Sequence, residues 1–171
     1  MGNIKLKEVE KEFYRLVSKD KSIMGIQEIG VLEFFLNTQK KVVEVYGRFV
    51  EQHKELFEEY PKHFGKGSKK YPKVVIAKDE ESLTQFSEAS KLPEKEMFKN
   101  YGELFGYPPT AIDFFVNRRI VGQDRYKIVY YGLKFVCEMC DKELDKVKQE
   151  LKEMYGLELN QDNFHVEEVI K

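Results

Sequence analysis

The chain has 171 residues, 42% hydrophobic and 13% aromatic, which suffices for a real core and excludes a disordered chain. Its formal net charge is -1 and its pI is near 6.4, so no global field steers nucleic acid or an anionic membrane toward it. The longest apolar run, Ile29 to Leu36, is interrupted by Gly30 and Glu33 and falls short of the ~18 apolar residues that mark a membrane span.

The first 64 residues read as helices. Leu6, Val9, Phe13, Leu16 and Val17 recur at helical spacing among lysines and glutamates. Ser22 suits the N-cap of a second helix carrying Ile26, Ile29, Leu32 and Leu36. A third stripe, Val42, Tyr46, Phe49, His53, Leu56 and Tyr60, predicts a helix ended by Pro61 and Gly65. Residues 65–72 then form a basic linker, after which the pattern changes.

Val74-Val-Ile-Ala77 predicts a buried strand, and Asp79 stands where an N-cap belongs, with Glu80 and Glu81 in the first turn. Pro93 opens the next helix, whose apolar face is Met97, Phe98, Tyr101, Leu104 and Phe105. Gly106 fits the position just past its end. Tyr107 and Pro108 each precede a proline, which pushes both out of the helical region, so that Pro109 can start another helix. Gly106, Tyr107, Pro108 and Pro109 are therefore read as a structural junction. Tyr126 to Val136 predicts one or two strands, with Gly132 as the bend. A long helix carries Cys140, Leu144, Val147, Leu151 and Met154 and ends at Gly156, and residues 164–170 predict a last strand. The expected class is α+β: a helical portion over 1–64, the linker, and an α+β portion over 73–171. These would form one integrated domain with a small three- to four-stranded sheet and covering helices.

Gly106-Tyr-Pro-Pro-Thr-Ala-Ile-Asp-Phe-Phe115, followed by Cys137-Glu-Met-Cys140, resembles an uncharacterised archaeal group, family 483 of the domains of unknown function. The resemblance covers roughly residues 73 to 155 and rests on Gly106, Tyr107, Pro108, Phe115, Cys137 and Cys140. It implies an archaeal origin and no known activity. Where that family places paired cysteines, this chain has Thr110 and Ala111. If four thiols build a metal site in such relatives, half of the ligands are missing here.

Three candidate chemistries follow. Cys137 and Cys140 could serve as a redox pair at a helix start or as half of a zinc site. Zinc, however, wants about four ligands, and no second cysteine pair exists. The plainer reading makes both thiols small hydrophobes continuing the stripe of Leu144, Val147 and Leu151. Arg118, Arg119 and Arg125 are three of five arginines and lie within eight residues. With Tyr126 beside them they suit anion capture, or stacking against a nucleotide or RNA base; the plainer reading is a solvated loop paired with glutamates. Among the histidines, His53 reads as a core residue, and neither His63 nor His165 has a partner at i+4. No carboxylates are spaced as an acid/base pair. The expectation is a soluble cytoplasmic binding or interaction protein with no assigned catalysis and no cofactor. A metal or thiol protein and an RNA- or nucleotide-binding module are the alternatives. The abundance of aromatics admits a homo-oligomer, and the Lys/Glu-rich composition resembles that of proteins from hot environments.

Overall fold

The computed structural model describes residues 32, 35, 36, 38–52, 54–65, 73–118, 125–130, 133–138, 141–156 and 164–169. The fold is α+β. Its contacts divide it into two compact units, Met1–Leu83 and Thr84–Lys171.

In the first unit, strand β1 (Val42–Tyr46) leads into the short helices α1 (Gly47–Gln52) and α2 (Lys54–Phe57), and then into strands β2 (Lys62–Phe64) and β3 (Lys73–Ala77). The sheet order is β1-β3-β2, antiparallel throughout, with Val43 opposite Ile76 and Phe64 opposite Val74. Here the helix expected from Val42 to Tyr60 is corrected over its first five residues, Val42–Tyr46, while Gly47–Gln52 and Lys54–Phe57 are helical as expected. Val43 and Val45 are buried while Glu44 between them is exposed, the alternation of a strand, and Val42 is buried as well. β-Branched side chains favour that pleated pairing over a helix. The spacing of Val42 and Tyr46 fits either period, and the waiting partner β3 decides between them. His53 lies outside the described residues. The core packs Val43, Val45, Val74 and Ile76 from the sheet against Leu32, Phe35, Val50 and Phe57.

Helix α3 (Glu80–Ala89) starts in the first unit and ends in the second. The Asp79 carboxylate accepts the Ser82 N–H at 2.7 Å, and the bond from Ser82 is the main reason its pKa lies below the usual value. The second unit continues with α4 (Glu94–Leu104), α5 (Pro109–Asp113), a π-helical turn at Phe114–Arg118, strands β4 (Arg125–Tyr130) and β5 (Leu133–Glu138), helix α6 (Asp141–Tyr155) and strand β6 (Phe164–Val169). Its sheet runs β5-β4-β6, again antiparallel.

The expected single sheet is thus corrected to two three-stranded sheets, and residues 73–77 do not share one with 126–136 or 164–170. Along the chain, the division between the two compact units falls after Leu83, within α3. β3 is the centre strand of the first sheet, so its pairing with β1 and β2 ties it to the residues before the linker. Among the described residues, no helix is long and apolar enough to cross a membrane.

Candidate functional site

Gly106 has φ +75°, the left-handed region where a Cβ is strained. The Tyr107 N–H donates to Gly102 O at 2.9 Å and the Gly106 N–H to Glu103 O at 3.1 Å, the paired bonds of a Schellman ending to α4. Pro108 then holds an extended φ/ψ of -61°/144°, and Pro109 occupies the first turn of α5. Helices α4 and α5 approach so closely at Gly102 that a Cβ there would lie 2.8 Å from Ile112 Cγ1.

Helix α6 fastens this junction from outside it. The Glu150 carboxylate accepts the Thr110 N–H at 3.0 Å and the Thr110 hydroxyl at 2.7 Å. It thereby satisfies an orphan donor at the start of α5 with a negative charge, where the helix dipole favours one. The Tyr155 hydroxyl donates to Gly106 O at 2.6 Å. Val147 and Leu151 on the same helix are fully buried.

Arg118 closes the same arrangement. Its guanidinium bonds to Glu143 on α6, has Nε 2.8 Å from Asp113 Oδ2, and lies over the Phe114 ring. The Asn117 amide, helped by Arg118, holds the Asp113 carboxyl below its usual pKa. The guanidinium thus faces two carboxylates, with one hydrogen bond to Glu143 and an ion pair to Asp113.

Arg119 and Cys140 lie outside the described residues, and Arg125 is described by backbone only. Arg125 opens β4 opposite Glu138 and Val169, and Tyr126 stands opposite Cys137 and Glu168. Cys137 therefore sits in strand β5, and α6 begins only at Asp141. The expectation that Cys137 extends the helical stripe is corrected: the β-branched and aromatic run before it carries the strand through Glu138. Among the described residues, no three His, Cys, Asp or Glu side chains gather to hold a metal.

Glu143, Glu150 and Tyr155 escaped the sequence reading. Each looks like an ordinary residue of a polar helix face, and only the position of α6 gives it a partner.

A second feature lies in the first unit. β2 is an edge strand, and Phe64 on it is 64% exposed. It lies in cross-strand register with Val74 and, beyond that, Val45, both buried in the core. Phe64 therefore prolongs an apolar row past the point where the core is covered. Elsewhere in that unit Lys40 is buried, and loss of solvation pushes its pKa down to about 8. Lys78 is half-buried, lowered for the same reason, and donates to Thr38 O.

The chain matches no family model, no curated protein and no solved structure.

Proposed function

We propose that this chain is a binding or interaction protein with no assigned catalysis, and that it makes contact through the edge of its first sheet at Lys62–Phe64. One observation carries this reading: a phenylalanine 64% exposed at the end of a row whose other members are buried. Isolated surface hydrophobes are ordinary, whereas an aromatic that continues the core onto a strand edge with no described partner is a contact feature.

The contact surface drawn from Arg118, Arg119, Arg125 and Tyr126 has less support, because Arg118 is spent on Asp113 and Glu143. That weakens the RNA or nucleotide reading with it. The thiol or zinc reading of Cys137 and Cys140 keeps its own test: metal content after anaerobic purification, with Cys137→Ser as control. A cytoplasmic setting and kinship with family 483 of the domains of unknown function belong to the same proposal. The latter rests on the Gly106–Phe115 segment and the two cysteines.

The test places a photo-crosslinking amino acid at position 64, with the exposed Glu88 position as control, in extract of the source cells. A protein captured from position 64 alone is purified and titrated against the unmodified chain. Binding that weakens by about tenfold in Phe64→Ser supports the reading. No adduct above the position-88 control overturns it.

A further inference from the structure

We infer that β2 pairs antiparallel with β2 of a second copy of this chain, about a two-fold axis at His63, so that the first sheets of two copies join edge to edge. This rests on the reading of that edge as a contact surface, and names the occupant and the register.

The backbone geometry comes first. The Gly65 N–H donates to Lys73 O at 3.1 Å, and the Ala77 N–H donates to Pro61 O at 3.0 Å. In an antiparallel ladder hydrogen-bonded and non-hydrogen-bonded pairs alternate. Gly65 and Pro61 are thus bonded inward to β3, and so is His63, which lies between them opposite Val75. Lys62 and Phe64, opposite Ile76 and Val74, are the non-bonded pairs. Their N–H and C=O groups point away from β3, and no described residue pairs with them there. β2 runs only from Lys62 to Phe64, with His63 at its middle. A two-fold axis at His63 sets Lys62 of each copy opposite Phe64 of the other, and these are the residues whose backbone groups face outward. Two such pairs exchange about four backbone hydrogen bonds. An axis at Lys62 or at Phe64 would leave most of so short a strand without a counterpart.

Side chains favour the same register. A two-fold contact must be self-complementary, and an axis at Lys62 would set two ammonium groups directly opposite each other, which is destabilising. The axis at His63 sets each ammonium beside a phenylalanine ring instead. Phe64 stands in a row with Val74 and Val45, and Lys62 in a row with Ile76 and Val43. All six positions therefore share the core face of the sheet. In the paired edge each row runs on into the other row of the second copy. The lysine stem then lies along the exposed Phe64 ring, with the ammonium at the ring face. The Lys62 ammonium already donates to Tyr60 O at 2.8 Å, and an ammonium has three protons to give, so that bond does not compete with the ring. A lysine on an edge strand ordinarily deters pairing. Opposite a phenylalanine it becomes the complement, and the sequence Lys62-His-Phe64 supplies both halves of the contact.

The experiment uses the purified full chain, with self-association read by sedimentation equilibrium and register read by disulfide trapping. A reversible dimer is expected, its dissociation constant raised about tenfold by Phe64→Ser and likewise by Lys62→Glu, which turns an anion toward the ring. Both variants should keep the parent's unfolding midpoint. The axis at His63 makes residues 63 of the two copies a non-hydrogen-bonded pair with Cα atoms about 4.5 Å apart, within disulfide reach. His63→Cys should therefore link two copies through position 63 on mild oxidation, as mapped by peptide mass. Phe64→Cys should not, since residues 64 would lie about 8 Å apart, beyond that reach. A chain that stays monomeric up to about 1 mM overturns the proposal. So does a dimer strengthened by Lys62→Glu, or one that Phe64→Cys traps and His63→Cys does not. If position 64 cross-links a different protein in extract while the purified chain stays monomeric, this inference falls and the contact reading stands; if the chain is monomeric and nothing is captured, both fall.

Discussion

Lys40 shows what a single residue costs and when. Its ammonium is buried, and its pKa falls from 10.5 to about 8. Between those values the unfolded chain holds a proton that the folded chain has released. The contribution of this group to stability therefore rises with pH across that window, and the cost of burying the charge is fully present below about 8. Lys40→Met should remove that rise and stabilise the first unit by roughly 1–3 kcal/mol near neutral pH. Urea unfolding of both proteins across the alkaline range checks this. Lys73 behaves in the opposite sense: its bond to Glu44 raises its pKa, so its contribution is kept below the usual lysine value and lost above it.

Gly102 is the second case at this scale. A Cβ there meets the branched, buried Ile112 at 2.8 Å, and overpacking of this kind costs about 1–3 kcal/mol. Alanine in place of glycine in a helix returns about 1 kcal/mol. Gly102→Ala should therefore lower stability on balance. In an Ile112→Ala background the clash is gone, and the same change should become stabilising. A double-mutant cycle by denaturant unfolding reads the change of sign.

Among the elements, α6 decides the geometry of the junction. Glu150, Tyr155 and Glu143 fasten respectively the start of α5, the carbonyl of Gly106 and the end of the π-helical turn. Glu150→Ala leaves the Thr110 hydroxyl and N–H without that acceptor in a place where Thr110 is buried. A loss of about 2 kcal/mol is expected from a charge-assisted pair of this kind. Glu150→Gln, which keeps an acceptor oxygen, should recover part of it. Thermal unfolding of the two variants makes the comparison.

The end of α4 and the start of α5 were legible in the sequence. A glycine tolerates φ +75° and a proline forbids its predecessor the helical region, so Gly106 and Pro109 act through local sterics alone. Asp79 as a cap and Val74–Ala77 as a strand are local in the same way. The identity of Val42–Tyr46 was not, because β-branched residues at helical spacing satisfy two patterns until a partner strand is present.

For the whole molecule, the described strands form two separate three-stranded sheets, and contacts divide the chain into two compact units. Two units predict two unfolding transitions. Lys40→Met should move one of them and Gly102→Ala the other, as read by tryptophan reporters placed one per unit, since the chain has no Trp. A single transition shifted by both variants would contradict that expectation.

The class, the Asp79 cap, the Gly106–Pro109 junction and the presence of strands near 73–77, 126–136 and 164–170 were readable along the chain. All of these follow from preferences a residue exerts over its nearest neighbours along the chain. Tertiary structure alone decided that the described strands form two sheets, that Arg118 faces Glu143, and that Phe64 ends an apolar row at an edge that no described strand covers. Each of these joins residues far apart in sequence, and neither the partner of a strand edge nor the acceptor of a guanidinium is encoded within one turn of helix.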